Sequence, residues 1–259
     1  MRIDCHVHGD PRHVRGDPQA YVDCCRQRGI EAIVLIEPLE RCLEALQRFG
    51  ADFIIPVALL DMDTARPDEV TRCIDAGCRG VKFIGPAAPY GDERYWPLYA
   101  RAEELGAVAV FHTGYLMQAA EREERPKHME YMRAAQVEVV SRRFPGLKIL
   151  MAHFSNPWWE EAWKVSWTKP NVYADLSGGT AIHRSTRMWA EMFAPDGQLL
   201  ESSIRKLCFA SDVHYFREGE YPFEPYMAFY DRVYDQIGLS PELREVVDRG
   251  NARSLFGLA

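Results

Sequence analysis

The chain has 259 residues, of which 47% are hydrophobic, and its 31 Lys and Arg against 38 Asp and Glu leave a net charge of −7. One α/β barrel domain with a substantial core suits this length, and an acidic balance without a long basic run argues against a nucleic-acid partner. No apolar stretch reaches membrane-spanning length and no charged leader precedes one, while the seven cysteines form no C-x-x-C pair, so a cytoplasmic protein with reduced, mostly buried thiols and no membrane partner is expected.

The first element, "MRIDCHVH", reads as a buried strand that places His6 and His8 two residues apart. Alternate residues of a strand share a face, so the two imidazoles can converge on one point, as metal ligands must. Two unrelated surface histidines would show the same spacing, and partners downstream decide between the readings. Seven further apolar runs follow: "IEAIVLIE", "FIIPVALLD", "GVKFI", "AVAVFH", "LKILMAH", "NVYADLS" and "KLCFASD". Most are apolar on both faces, as parallel strands covered by helices are. Helix punctuation lies between them. Asp17 and Pro18 open a helix that Gly29 ends, Asn156 and Pro157 open another, and Ser240 and Pro241 open a last one that Gly250 ends. Eight strand-then-helix units predict a single-domain (β/α)8 barrel over residues 1–259, and no glycine-rich first turn supports a dinucleotide-binding sheet.

Barrel chemistry sits at the C-terminal ends of the strands. His6 and His8 end the first run, His112 the fifth, His153 the sixth and Asp212 the eighth, with Lys82 inside the fourth. Packing alone would scatter such residues over both rims, so one polar rim is the expectation. The motifs D-x-H-x-H at Asp4 to His8, "FHTG" at His112, "AHFSNPWWEEA" at His153, "FASD" at Asp212 and "GNARSLFGL" near the end resemble the amidohydrolase superfamily. Within it they are most similar to the amidohydrolase-2 group, which includes relatives of aminocarboxymuconate-semialdehyde decarboxylase.

The resemblance implies that His6, His8, His112 and Asp212 hold a divalent metal, zinc first, with one ion favoured over two. Three imidazoles and a carboxylate suit zinc, with manganese, iron or cobalt as alternatives. Such an ion lowers the pKa of a bound water, and Asp212 can then act as general base and acid. His153 either contacts the substrate or ligates a second ion. Lys82 is either an ammonium facing an anionic substrate or a bridging carbamate, with an outward structural lysine as a third reading. Among loop residues, Arg12 or Arg15 could clamp a substrate carboxylate, one of Trp158 and Trp159 could wall the pocket, and His214 is a further polar candidate. Residues 113–128 read as a lid or as solvated surface, and the aromatic stretch after Asp212 either closes over the mouth or forms a barrel-to-barrel interface in a homo-oligomer. The leading expectation is hydrolysis of an amide, lactone or related carbonyl in a small, anionic metabolite. Non-oxidative decarboxylation of an unsaturated or aromatic carboxylate is the alternative, and a non-catalytic metal-bound protein ranks below both.

Overall fold

Each apolar run forms a strand where expected: β1 Arg2–Val7, β2 Ile30–Glu37, β3 Ile54–Leu60, β4 Gly80–Phe83, β5 Val108–His112, β6 Lys148–Ala152, β7 Val172–Asp175 and β8 Leu207–Cys208. This computed structural model describes residues 1–116, 128–178 and 181–258. The strands are all parallel and neighbour one another in sequence order. Backbone hydrogen bonds from Cys5 to Phe209, from Asp212 to His6 and from His8 to Val213 close the last strand onto the first. The result is a single-domain (β/α)8 barrel. Among the described residues, no helix is long and apolar enough to cross a membrane.

Helices α1 Pro18–Gln27, α2 Leu39–Phe49, α3 Pro67–Asp75, α4 Trp96–Glu104, α5 Ala134–Arg143 and α6 Trp159–Thr168 follow the first six strands in turn. After β7 come α7 Thr186–Phe193 and α8 Glu201–Ile204, and after β8 come α9 Glu224–Gln236, α10 Pro241–Glu245 and α11 Asn251–Phe256. Asp17 caps α1 through Gln19 N–H and Ser240 caps α10 through Leu243 N–H, as their side chains suggest.

Two helix boundaries differ from the sequence reading. The helix after β6 begins at Trp159 rather than at Pro157, because Asn156 is tied elsewhere: its N–H donates to the His153 carbonyl and its own carbonyl accepts from Tyr115. Gly250 does not end the last helix. It sits at φ −59° in a π-type stretch, Val246–Gly250, that joins α10 to α11. Nothing there demands the left-handed conformation that makes glycine a stop.

Strand alternation divides the apolar residues into two layers. Val81, Phe83, Ala109, Phe111, Ile149 and Met151 face outward to the helices. Val34, Ile36, Val57, Val110, Leu150 and Cys208 fill the barrel interior, where Ala252, Leu255 and Phe256 of α11 join them. All seven cysteines are free, and all but Cys24 are buried. Because this inner plug is apolar, the polar residues of the same inward faces gather at the other end.

Candidate metal centre

Simple alternation along β1 does not aim His6 inward. Ile3 and Cys5 belong to the inner layer, so period two would turn His6 outward with Asp4. A register irregularity intervenes: Asp4 pairs with Ile33 and Val7 with Leu35, three steps on one strand against two on its neighbour. One extra residue re-phases a strand. His6 and His8 thereby enter the barrel, while Asp4 stays behind and binds the β8 side. Its carboxylate accepts from the His6 N–H, from the Ser211 N–H at 3.0 Å and from the Ser211 hydroxyl at 2.6 Å. Burial pushes Asp4 up to about 7.

The side chains converge closely. His6 Nε2 lies 3.2 Å from His8 Nε2, 3.0 Å from Lys82 Nζ and 3.5 Å from Asp212 Oδ1, and His8 Nε2 lies 3.7 Å from the same oxygen. Ligand bonds of about 2.1 Å, at tetrahedral or octahedral angles, set neighbouring donor atoms about 3.0–3.4 Å apart, close to these spacings. His8 Nδ1 donates to the Ile36 carbonyl at 2.7 Å, so Nε2 carries its lone pair. His6 Nε2 accepts from Lys82. Two imidazole lone pairs facing each other at 3.2 Å repel unless a cation lies between them, so these residues fit a divalent ion.

Burial favours the neutral, ligating form of the histidines. His6 falls well below the usual range through burial and then the Lys82 charge, and His153 through burial and then its neighbours His112 and His6. His8 is lowered to about 3 by burial first and Lys82 second. Lys82, 1% exposed, is lowered to about 8 by burial, against the pull of Asp212 and Asp175. This inward position excludes the outward structural lysine.

His153 follows β6 in an unusual turn. His153, Phe154 and Ser155 have φ of 67°, 48° and 51°, and Asp212 across the site has φ 62°. Left-handed backbone costs a non-glycine residue about 1–2 kcal/mol. Polar anchors offset it: Asp175 accepts from His153 N–H at 3.0 Å, Thr113 Oγ1 from Ser155 N–H at 2.8 Å, and Ser155 Oγ from Ala134 N–H at 3.0 Å. The turn aims the imidazole into the site, where its Nδ1 lies 3.9 Å from Asp212 Oδ2 and its ring 4.8 Å from that of His6. Gly178, at φ +92°, keeps this corner open. A Cβ there would meet His153 Nδ1 at 3.0 Å and Asp212 Oδ2 at 3.7 Å.

Two groups of donor atoms gather within 4.8 Å among the described residues: His6, His153 and Asp212, and His8, Asp212 and His214. His214 is exposed, stacks on His8 at 5.1 Å and reaches Asp212 Oδ2 at 3.4 Å, a contact that raises its pKa. His112 ends β5 with its ring 4.6 Å from that of His153, and its Nε2 donates to the Tyr115 carbonyl at 3.0 Å. The clamp read at Arg12 is taken up locally, since its guanidinium is held by Asp10 of the same turn, with Glu44 at 3.9 Å. Arg15 is exposed on that loop. Arg133 covers the Trp158 ring at 4.7 Å, and Trp159 packs on the fully buried Trp189 at 5.6 Å. Both tryptophans line a groove of about 400 Å³ with Met188 and Met192 of α7. The segment read as a lid, 113–128, lies mostly outside the described residues.

Sequence reasoning passed over Asp175, Ser177, Ser211 and Glu37. Glu37 ends β2 and accepts from Gly9 N–H at 2.7 Å, which shapes the loop after His8. Their strand-end positions were the available signal, and no motif spacing singled them out.

A family model described as Amidohydrolase, Amidohydro_2, matches residues 3–258. No curated protein matches the sequence. Among solved structures, an uncharacterised TIM-barrel protein from Bordetella bronchiseptica is 17% identical with a TM-score of 0.68, covering 99% of this chain and 98% of its own. A probable 2-pyrone-4,6-dicarboxylic acid hydrolase from Acinetobacter baumannii is 15% identical with a TM-score of 0.64, covering 99% of each chain. A dihydroxybenzoic acid decarboxylase from a Polaromonas species, solved with bound manganese, is 17% identical with a TM-score of 0.63, covering 99% of this chain and 97% of its own. At such identities the likeness is one of fold.

Proposed function

Since the chain belongs to the amidohydrolase family Amidohydro_2, we propose that it is a metal-dependent hydrolase that opens an amide, lactone or related carbonyl bond in a small anionic metabolite. The observation that carries this reading is the two-sided placement of Asp212. Its Oδ1 lies 3.5 Å and 3.7 Å from the His6 and His8 nitrogens, while its Oδ2 faces His153 and His214 at 3.9 Å and 3.4 Å. One carboxylate thus faces the His6 and His8 nitrogens with one oxygen and the open side of the site with the other.

His6, His8 and Asp212 would hold a single divalent ion, with His112 completing the set through Nδ1, the nitrogen left with a lone pair once Nε2 donates to Tyr115. The mixed nitrogen and oxygen donors favour zinc. When bound, such an ion brings the pKa of a water toward neutrality and polarises a carbonyl. Asp212 takes the proton released as the attack proceeds and returns it to the leaving nitrogen or oxygen. His153 sits beside the open corner at Gly178, where its neutral imidazole would hold the substrate by accepting a hydrogen bond at Nε2. Lys82, kept as an ammonium beside His6, draws anionic substrate groups toward the ring of histidines.

The deciding experiment is a panel of lactones, amides and unsaturated or aromatic carboxylates, followed for carbon dioxide release and for ¹⁸O uptake from labelled water. Solvent oxygen in the product supports hydrolysis. Carbon dioxide release without it overturns the reading in favour of decarboxylation. Metal analysis accompanies it: about one equivalent supports an ammonium at Lys82, and about two would indicate a bridging carbamate.

A further inference from the structure

Asp175 closes β7, is 0% exposed and has no part in the chemistry above. Its Oδ1 is crowded, accepting from His153 N–H at 3.0 Å, from Ser177 N–H at 2.9 Å and from the Ser177 hydroxyl. Its Oδ2 is the opposite. It is buried without a hydrogen bond and stands 3.7 Å from His6 Nδ1, itself buried without one. A dry pocket penalises both atoms unless each is the other's partner. We infer that Asp175 is a positioning residue that sets the tautomers of two histidines at once, His6 directly and His153 through Ser177, so that both present the Nε2 lone pair.

The argument for His6 is one of proton placement. With the proton on Nε2, Nδ1 would turn a lone pair toward a carboxylate oxygen, and the Lys82 ammonium would lose its acceptor. With the proton on Nδ1, a donor faces the orphaned oxygen and Nε2 is free to accept from Lys82 or to ligate an ion. For His153 the hydroxyl decides. Ser177 donates its hydroxyl proton to Asp175 Oδ1, so its Oγ is left to accept from His153 Nδ1–H at 3.0 Å. One carboxylate at the end of β7 therefore orients both rings. Such partners also strengthen the lone pair on the opposite nitrogen, and their loss lowers metal affinity about 10- to 100-fold.

The tautomer assignment stands without the proposed function, and only its consequence for metal affinity rests on that reading. The test starts with metal-free protein carrying ¹⁵N-labelled histidine, in long-range ¹H–¹⁵N correlation spectra. His6 and His153 should both be Nδ1–H. In Asp175→Asn the amide keeps its oxygen on the two backbone N–H groups and turns its NH₂ toward His6, which should move the His6 proton to Nε2. Zinc affinity, measured by chelator competition, should then fall about 10- to 100-fold. Ser177→Ala should release His153 alone, leaving the His6 tautomer and the zinc affinity unchanged, and Ser177→Thr should restore His153. An Nε2–H form of either histidine in the wild type overturns the inference, as does a folded Asp175→Asn with His6 still Nδ1–H. Should Asp175→Asn fail to fold, the wild-type spectrum and Ser177→Ala still decide. A protein with these tautomers but no hydrolysis of any panel substrate would sink the proposed function and leave this inference standing.

Discussion

Replacing Lys82 by methionine should make the metal-free protein more stable at neutral pH, although it removes a hydrogen bond. The ammonium is buried at the third position of β4, and burial lowers its pKa from 10.5 to about 8. A lysine lowered on folding opposes folding fully below the folded pKa, and the opposition fades as pH rises toward the unfolded value. The shift corresponds to ~3 kcal/mol at pH 7 and less than ~1 kcal/mol at pH 10. Methionine is one heavy atom shorter and carries no charge, so Lys82→Met should recover most of that difference at pH 7. For a domain of this size, ~3 kcal/mol raises the melting temperature by roughly 6–10 °C. The assay is thermal or urea unfolding of chelator-treated wild type and variant at pH 7 and pH 10. A variant less stable than wild type at pH 7, or a gain equal at both pH values, would refute the account of a desolvated ammonium.

Four other substitutions probe the centre. His6→Ala and Asp212→Ala should each empty the ion site while the far-ultraviolet circular dichroism keeps its barrel signature, and full metal occupancy in both would contradict the assignment. His153→Asn should retain the ion yet turn over about 100-fold more slowly, since a group that positions the substrate is lost; wild-type turnover would remove it from the chemistry. Gly178→Ala meets a φ of +92° and a 3.0 Å approach to His153 Nδ1. It should destabilise the fold by about 1–2 kcal/mol in urea titration and lower turnover by displacing His153, whereas unchanged kinetics would mean that this corner does not border the reacting groups.

Proton balance at the site rests on burial more than on charge pairing. The inner end of the barrel is sealed by Leu255 and Phe256, so the histidines stand on an apolar floor. Desolvation keeps imidazoles neutral. The same desolvation penalises Lys82 and Asp4, which are held in place by neighbours on β1 and β8. A centre of this kind is less comfortable without a cation than with one, and a divalent ion should raise the melting temperature in proportion to the logarithm of its concentration.

The eight strands and their parallel order were legible in the sequence, because strands covered on both sides must be apolar on both sides and that pattern is local. The rim of His6, His8, His112, His153 and Asp212 was legible for the same reason, since an ionisable residue closing an apolar run is conspicuous. The direction in which those residues point was not. Period two counted from Ile3 and Cys5 turns His6 outward, and only the register irregularity against β2 brings it in. Pairing between strands distant in sequence determines such an irregularity, and no local pattern encodes it. The left-handed turn at His153 is likewise held by Thr113, Ala134 and Asp175, from other elements of the barrel. Asp175 read as the end of one more strand, and it acquires a role because closure of the barrel brings β7 within 3.7 Å of a histidine on β1. Apolar periodicity follows from each segment's own need for burial, whereas the aim and tautomer of a polar side chain depend on partners that only the closed barrel assembles.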